Sequence, residues 1–201
     1  MTNWTPFVAG GTQEVKLNNS ISKLIVKTLG DDLLAFLEKS QGKKTEHIMD
    51  ALSRLGREQG FKSMSNRISA IAEKEGFKKA EWLYDLHWYE EKEPSCYRQT
   101  SLPLVVECEW EWIRKGDEDD DDFSAIKWDF QKLLVANADL RVMIFQQRIK
   151  KKNDELAKYF GETIDGYRNL VEGSKFLFIA FDQRGFHYKE KTKGTSGLAE
   201  C

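Results

Sequence analysis

The sequence predicts an α/β fold in which a mixed central sheet is flanked by helices on both faces. Two observations support this prediction. Apolar residues recur at helical spacing in several segments, and short runs rich in aromatic and β-branched residues lie between them. The order along the chain is a group of helices, then two strands, and then a helix, a strand, a helix and a strand. Strands that alternate with helices in this way are typical of one sheet covered on both faces.

The first part of the chain is predicted to be an N-terminal helical addition. Residues 1–15 contain a proline and a Gly-Gly pair without periodicity, and we expect them to form an arm. Three helices are predicted after it, over residues 17–39 with a break at Gly30, over 44–59 with Thr45 as N-cap, and over 64–75.

The rest of the chain is predicted to build the sheet. Strands are predicted over residues 81–90, 103–112, 140–146, 175–182 and 186–189. Helices are predicted over residues 124–138, with Ser124 as N-cap, and over 153–171. The predicted organisation is therefore an arm with helices over 1–43, a core over 44–190 and a flexible tail over 191–201.

The composition indicates one domain and excludes several classes of protein. A chain of 201 residues with 40% hydrophobic residues can bury one sizeable core. Its three cysteines are too few and too scattered for a disulfide framework or a zinc site. No apolar stretch approaches the roughly 20 residues of a membrane span, and no secretory signal is recognisable at the start. We therefore expect a cytoplasmic protein that has no membrane partner.

The net charge of -2 does not by itself indicate a nucleic-acid-binding protein. This average hides an uneven distribution, because residues 117–122 form an uninterrupted acidic run, DEDDDD. The rest of the chain is net positive and has basic clusters at 78–79 and 148–152. These clusters are candidates for contacts with the phosphates of a nucleic acid.

Three acidic residues in the first two predicted sheet strands could hold a metal ion. Side chains alternate along a strand, so Glu107 and Glu109 share one face, about 7 Å apart. Asp85 interrupts an aromatic stretch in the preceding strand and would lie beside them if the two strands pair as a hairpin. Carboxylates this close repel each other, and a divalent cation such as Mg²⁺ removes the conflict. The alternative is that the two glutamates belong to a solvent face, which Glu111 would continue.

Four segments follow one another in a characteristic order, namely YDLHW, LVVECEW, the helix KWDFQKLL and the strand LRVMIF. This order resembles the core of the PD-(D/E)XK nuclease superfamily. The segment ALSRLGREQGF at 51–61 resembles the helix that precedes the catalytic strands of that family. The resemblance covers roughly residues 44–146 and implies a restriction-endonuclease-like fold. It also implies that Asp85 is the first acid of the site and Glu107 the second.

Glu109 departs from the motif of that superfamily, because it stands where lysine is most often found. Some members carry Glu-x-Glu, so the resemblance still implies a metal-dependent site. Lys132 on the following helix is a candidate replacement for the lysine, and the alternative is a solvated helix lysine. Glu58 is a candidate for a further metal ligand, and the alternative is an acid at a helix end. His87 could contact phosphate, and the alternative is a structural histidine.

The resemblance implies hydrolysis of phosphodiester bonds in DNA, with Mg²⁺ or Mn²⁺ held by Asp85, Glu107 and Glu109. In this hypothesis Glu109 is a further ligand or a base acting through water, and a homodimer would serve to cut both strands of a duplex. Two alternatives stay open. The chain could be a nuclease-like fold that no longer cuts and acts as a binding or accessory module. It could also be an interaction protein without a metal.

Overall fold

The structure is a computed structural model that describes most of the chain. The described residues are 4–8, 15, 17–80, 82–93, 98–111, 113, 115, 123–146 and 150–194. The acidic run at 117–122 and the part of the predicted tail beyond Gly194 lie outside the described residues.

In the described part of the chain, eight strands form a single mixed sheet. The strands are β1 (Thr5–Val8), β2 (Lys62–Ser65), β3 (Lys78–Lys79), β4 (Leu86–Glu91), β5 (Gln99–Glu109), β6 (Leu140–Gln146), β7 (Lys175–Phe181) and β8 (Gly185–Thr192). Their spatial order is β1-β8-β7-β6-β5-β4-β2-β3. Strands β5, β6 and β7 run parallel in the centre, while β4 and β8 pair antiparallel on either side of them. The predicted antiparallel pairing of the first two sheet strands is therefore confirmed.

Six helices in the described residues cover the two faces of this sheet. They are α1 (Ser20–Asp31), α2 (Leu33–Leu37), α3 (Gln41–Glu58), α4 (Ala70–Lys74), α5 (Ser124–Val135) and α6 (Lys150–Gly166). Helices α1 to α4 pack on one face, and α5 and α6 pack on the other. The α/β class, with helices flanking a mixed sheet, is confirmed. None of the described helices combines the length and the apolar content that crossing a membrane requires.

Two apolar cores result from the alternation of side chains along the strands. On β5, Val106 and Cys108 belong to the core under α1 to α4. Val105 belongs to the opposite core, where it packs with Phe130 of α5. The same alternation turns Glu107 toward α5, so the predicted division of the β5 side chains between two faces agrees with the structure.

The predicted helix over 64–75 is wrong. Strand β2 ends at Ser65, and only residues 70–74 are helical. The backbone of Ser65 instead pairs with Leu86 of β4, and this tertiary pairing overrides the local helical pattern. Ser69 then caps the short α4.

The predicted arm over 1–15 contains the edge strand β1. This strand pairs with β8, which places Phe7 opposite Phe186. Gly30 does not break α1, which continues to Asp31. Its role is close packing, because a Cβ at position 30 would lie 2.2 Å from the Phe7 ring.

Other boundaries also differ from the predictions. Helix α3 begins after Ser40, so Thr45 is not its N-cap. Thr45 lies inside the helix, where its Oγ1 accepts a hydrogen bond from Trp110 Nε1 at 2.7 Å. Ser124 is the first residue of α5 and not its cap, α6 covers 150–166 in place of 153–171, and β8 extends to Thr192, into the predicted tail.

A test of the packing between α3 and the sheet uses Gly56. The indole of Trp88 donates a hydrogen bond to the carbonyl of Leu52 at 3.0 Å, and a Cβ on Gly56 would lie 2.6 Å from the indole nitrogen. We expect Gly56→Ala to lower the free energy of unfolding by about 1–3 kcal/mol. Gly161→Ala in α6 is the control, because a Cβ there meets nothing within 4 Å, and it should raise this free energy by up to about 1 kcal/mol. Urea unfolding measures both, and equal effects would contradict the packing.

Candidate active site

The candidate site lies at the carboxyl end of β5, beside the start of β4. When the antiparallel register of the two strands is continued by one residue, Asp85 lies opposite Glu107. Asp85 is fixed there by two hydrogen bonds. Its Oδ2 accepts the backbone N–H of Cys108 at 2.9 Å, and its Oδ1 accepts from Asn66 Nδ2 at 3.0 Å. The structure thus brings together the two residues that the sequence indicates as the first and second acids.

Glu107 is the most deeply buried acid of the site, with 1% of its surface exposed. It therefore does not belong to a solvent face. Its Oε2 accepts a hydrogen bond from Lys132 Nζ at 3.2 Å, whereas its buried Oε1 has no partner among the described residues. Burial, followed by the charges of Asp85 and Asp129, raises the pKa of Glu107 to about 9. Glu107 is consequently protonated at neutral pH.

Lys132 reaches the site from α5. Its Nζ lies 2.8 Å from Asp129 Oδ1, one helical turn earlier, as well as 3.2 Å from Glu107 Oε2. Burial alone would lower the pKa of Lys132, but the hydrogen bond and the charge of Asp129 act against burial, and the pKa of Lys132 is raised. Lys132 lies off the apolar stripe of the helix, and this position favours a solvated lysine. Its side chain is nevertheless long enough to bend back toward β5.

Asp129 is a site residue that the sequence reasoning missed. It forms a salt bridge with Lys132, and its charge acts on Asp85 and Glu107. Residues three apart lie on the same side of a helix. The segment KWDFQK therefore contained a signal, because any helix that presents Lys132 to the acids also presents Asp129.

Glu109 follows on the same face of β5 but has a different environment. Its Oε1 accepts the backbone N–H of Glu111 at 2.7 Å. Burial and then the charge of Asp129 raise the pKa of Glu109, against the hydrogen bonds from backbone amides. The side chain of Asp129 also interacts with that of Glu109, and this interaction raises the pKa of Glu109 further. Glu109 and Asp129 therefore lie next to each other on the side of Glu107.

Glu58 and His87, the two further candidates from the sequence, do not lie among these acids. Glu58 is exposed in the last turn of α3, and α3 packs against the opposite face of the sheet. His87 is buried between aromatic rings, with centroids 4.6 Å from Trp82 and 5.5 Å from Tyr89. Burial lowers the pKa of His87 to about 4, so its ring is neutral at neutral pH. This environment is that of a packed, structural histidine.

The carboxylates of the site suit a divalent cation that takes its remaining ligands from water or phosphate. Within the described ranges, no three His, Cys, Asp or Glu side chains converge closely enough to hold a metal ion on their own. Asp85 and Glu107 do lie side by side, and Glu107 Oε1 is buried without a partner. Mg²⁺ usually binds through one or two protein carboxylates, together with waters and phosphate oxygens. Two carboxylates fit that mode, and they do not form a closed protein cage.

The raised pKa of Glu107 should make stability depend on pH. The folded protein keeps this proton up to about pH 9, whereas an unfolded glutamate loses it near 4.5. The folded state therefore binds more protons in this range, and the free energy of unfolding falls as the pH rises. Glutamine cannot ionise. The free energy of unfolding of Glu107→Gln should therefore increase relative to that of wild type as the pH rises from 4.5 to 9, by up to about 1.4 kcal/mol per pH unit. Urea unfolding at a series of pH values measures the difference.

Glu75 provides a control of the opposite sign. The hydrogen bond from Arg54 is the main cause that lowers the pKa of Glu75, so its stabilisation is present at neutral pH and is lost as the pH falls through the folded pKa. Glu75→Gln should therefore be less stable than wild type at neutral pH, and the difference should vanish in acid. A constant difference between Glu107→Gln and wild type at every pH would show that Glu107 is ionised at neutral pH.

Similarity to known proteins does not identify a family for this chain. No family model, no curated protein and no solved structure matches it. Its function has to be inferred from the order of motifs in the sequence and from the geometry around Glu107. That geometry is a buried cluster of acids and one lysine, built by β4, β5 and α5.

Proposed function

We propose that this chain is a metal-dependent nuclease of restriction-endonuclease-like type, which hydrolyses phosphodiester bonds in DNA. The contact of 3.2 Å between Lys132 Nζ and Glu107 Oε2 is the observation that carries the proposal. The motif that the sequence resembles usually has a lysine two residues after its second acid, and Glu109 stands there instead. Lys132 brings a positive charge to the same acid from α5.

The order of the elements supports the same proposal. Strand β4 starts just after Asp85, and the antiparallel β5 carries Glu107. Helix α5 then crosses over, and β6 returns parallel to β5. The resemblance implies this succession of two strands, a helix and a strand. The acids stand near the carboxyl ends of parallel strands, where α/β sheets commonly bind their ligands.

Asp85 and Glu107 would hold Mg²⁺ or Mn²⁺ in this proposal. The acids of the site concentrate more negative charge than Lys132 balances, and a proton on Glu107 relieves part of the repulsion. Glu107 would release this proton on binding the cation, with Oε1 as the available oxygen. Such a cation, when bound, supplies Lewis-acid chemistry at a water molecule and at a phosphate oxygen.

The side chains of the protein would then orient the reactants and move protons. Lys132 can donate a hydrogen bond to a phosphate oxygen or to the attacking water while Asp129 still holds it. Glu109, whose pKa is raised, can accept or return a proton beside the site. Asp85 keeps its orientation because the backbone N–H of Cys108 fixes it.

DNA is the proposed partner because a phosphodiester chain is anionic and the chain carries exposed basic residues. Lys78 and Lys79 are exposed on β3, at the edge of the sheet that continues from β4 through β2. In this proposal they would contact phosphates of the bound DNA. The side chains of the second basic cluster, at 148–152, lie outside the described residues. Binding through such contacts weakens steeply as the salt concentration rises.

Mn²⁺ should raise the melting temperature of the wild-type protein, by mass action on the native state, with a gain of about 2.7 kcal/mol at about 100 times the Kd. Glu107→Gln should abolish this increase because it removes the available carboxylate. Glu162→Gln, which changes an exposed glutamate of α6, is the control and should respond like wild type. If wild type and Glu107→Gln respond equally to Mn²⁺, the cation is not bound at this site.

With Mn²⁺ or Mg²⁺, the protein should convert supercoiled plasmid DNA to nicked or linear forms. Asp85→Ala should remove the cleavage. Lys132→Met should lower the cleavage rate about 100-fold or more while Mn²⁺ still binds, because the lysine acts on the phosphate or the water. Lys158→Met, on an exposed face of α6, is the matched control and should keep the wild-type rate. Unchanged cleavage by Lys132→Met would contradict the role of this lysine.

A nuclease-like fold that no longer cuts is the second candidate. It is favoured by the partners that the acids already have, since Lys132 bonds Glu107 and two hydrogen bonds occupy Asp85. In this case the protein binds Mn²⁺ but leaves supercoiled, linear and single-stranded DNA intact. That result would exclude the enzyme and assign a binding or accessory role.

A further inference from the structure

A second cleft lies at the carboxyl end of α5. It has a volume of about 390 Å³ and is bounded by the end of α5, the start of β6 and the segment after α6. Its wall is mixed and includes the apolar side chains of Leu170 and Val171 and the amides of Asn137 and Asn169. Within the described residues, Arg141 is the one charged side chain of this wall.

Arg141 is buried, with 4% of its surface exposed. Its Nε and Nη2 donate hydrogen bonds to the carbonyl of Ala136 at 3.2 and 2.6 Å, and its guanidinium carbon lies 5.2 Å from the centroid of the Phe176 ring. Its Nη1 is buried without a hydrogen-bond partner. The groups that act on it electrostatically are Tyr84 and Asp139, and Asp139 is exposed.

No anion among the described residues forms an ion pair with this buried cation. A guanidinium removed from water is costly unless an opposite charge and hydrogen bonds compensate it. The carbonyl of Ala136 stands at the carboxyl end of α5, where the helix dipole favours a cation, and it offsets part of the cost. The hydrogen bonds from Nε and Nη2 of Arg141 are enough to cap the carboxyl end of α5. This structural role does not account for the buried Nη1.

We propose that the cleft binds a small organic carboxylate, with the carboxylate group seated on Arg141. One buried unit charge is balanced by a monoanion, and the planar carboxylate matches the edge of a guanidinium. Leu170 and Val171 would cover an aliphatic chain, while the amides of Asn137 and Asn169 can add hydrogen bonds. This site uses none of the residues of the acidic cluster, so the proposal does not rest on nuclease activity.

Hexanoate and hexanamide are suitable probes, because they share the same chain and differ in the charge of the head group. In calorimetric titrations of the full chain, hexanoate should bind saturably. Hexanamide should bind at least about tenfold more weakly than hexanoate. Inorganic phosphate should not displace hexanoate. Equal binding of the two probes, no binding of hexanoate, or its displacement by phosphate would each overturn the proposal.

Two sets of variants locate the binding. Arg141→Gln should remove hexanoate binding. Val171 is 72% exposed, so substitutions there should not disturb the fold. Val171→Asp should weaken hexanoate binding about tenfold relative to Val171→Asn, which has a similar shape and no charge. Where Arg141→Gln does not fold, the Val171 pair decides, and equal hexanoate affinity of its two members would overturn the proposal.

Discussion

The burial of β5 on both faces is the constraint on which the rest of the structure depends. Val106 faces one helical layer and Val105 the other, and both are completely buried. A strand in this position cannot shift by one residue, because the shift would exchange the side chains of its two faces. Glu107 is therefore forced beneath α5, where an ionised carboxylate is unfavourable. A proton on Glu107 and the contact with Lys132 reduce the cost of this burial.

Two tryptophans connect the opposite helical layer to the same pair of strands. Trp88 of β4 donates to the carbonyl of Leu52, and Trp110 just after β5 donates to the hydroxyl of Thr45. Both acceptors belong to α3, so this helix is anchored at two points along the sheet. The strands that position the acids are thus held from behind by α3 and from the front by α5. The acidic cluster is consequently supported by regular elements on both sides.

The sequence predicts those parts of the fold that depend on local pattern. The apolar run at 142–145 gives the centre of β6, and the alternation around Glu107 identifies the face that Glu107 occupies. Strand β2 could not be found in this way, because its pairing with β4 lies far away in the sequence. The helical position of Lys132 indicates where its backbone lies but not where a long, flexible side chain ends. The interaction between Glu109 and Asp129 likewise depends on a distance in space that no local pattern encodes.

The two edges of the sheet limit how copies of this chain could associate. At one edge, β3 consists only of Lys78 and Lys79. At the other edge, β1 has four residues, including Pro6, which lacks a backbone N–H. Short edges that carry lysine or proline resist pairing with a further strand. A continuous intermolecular sheet is therefore disfavoured, and two copies that act together on a DNA duplex would have to meet through helices or loops.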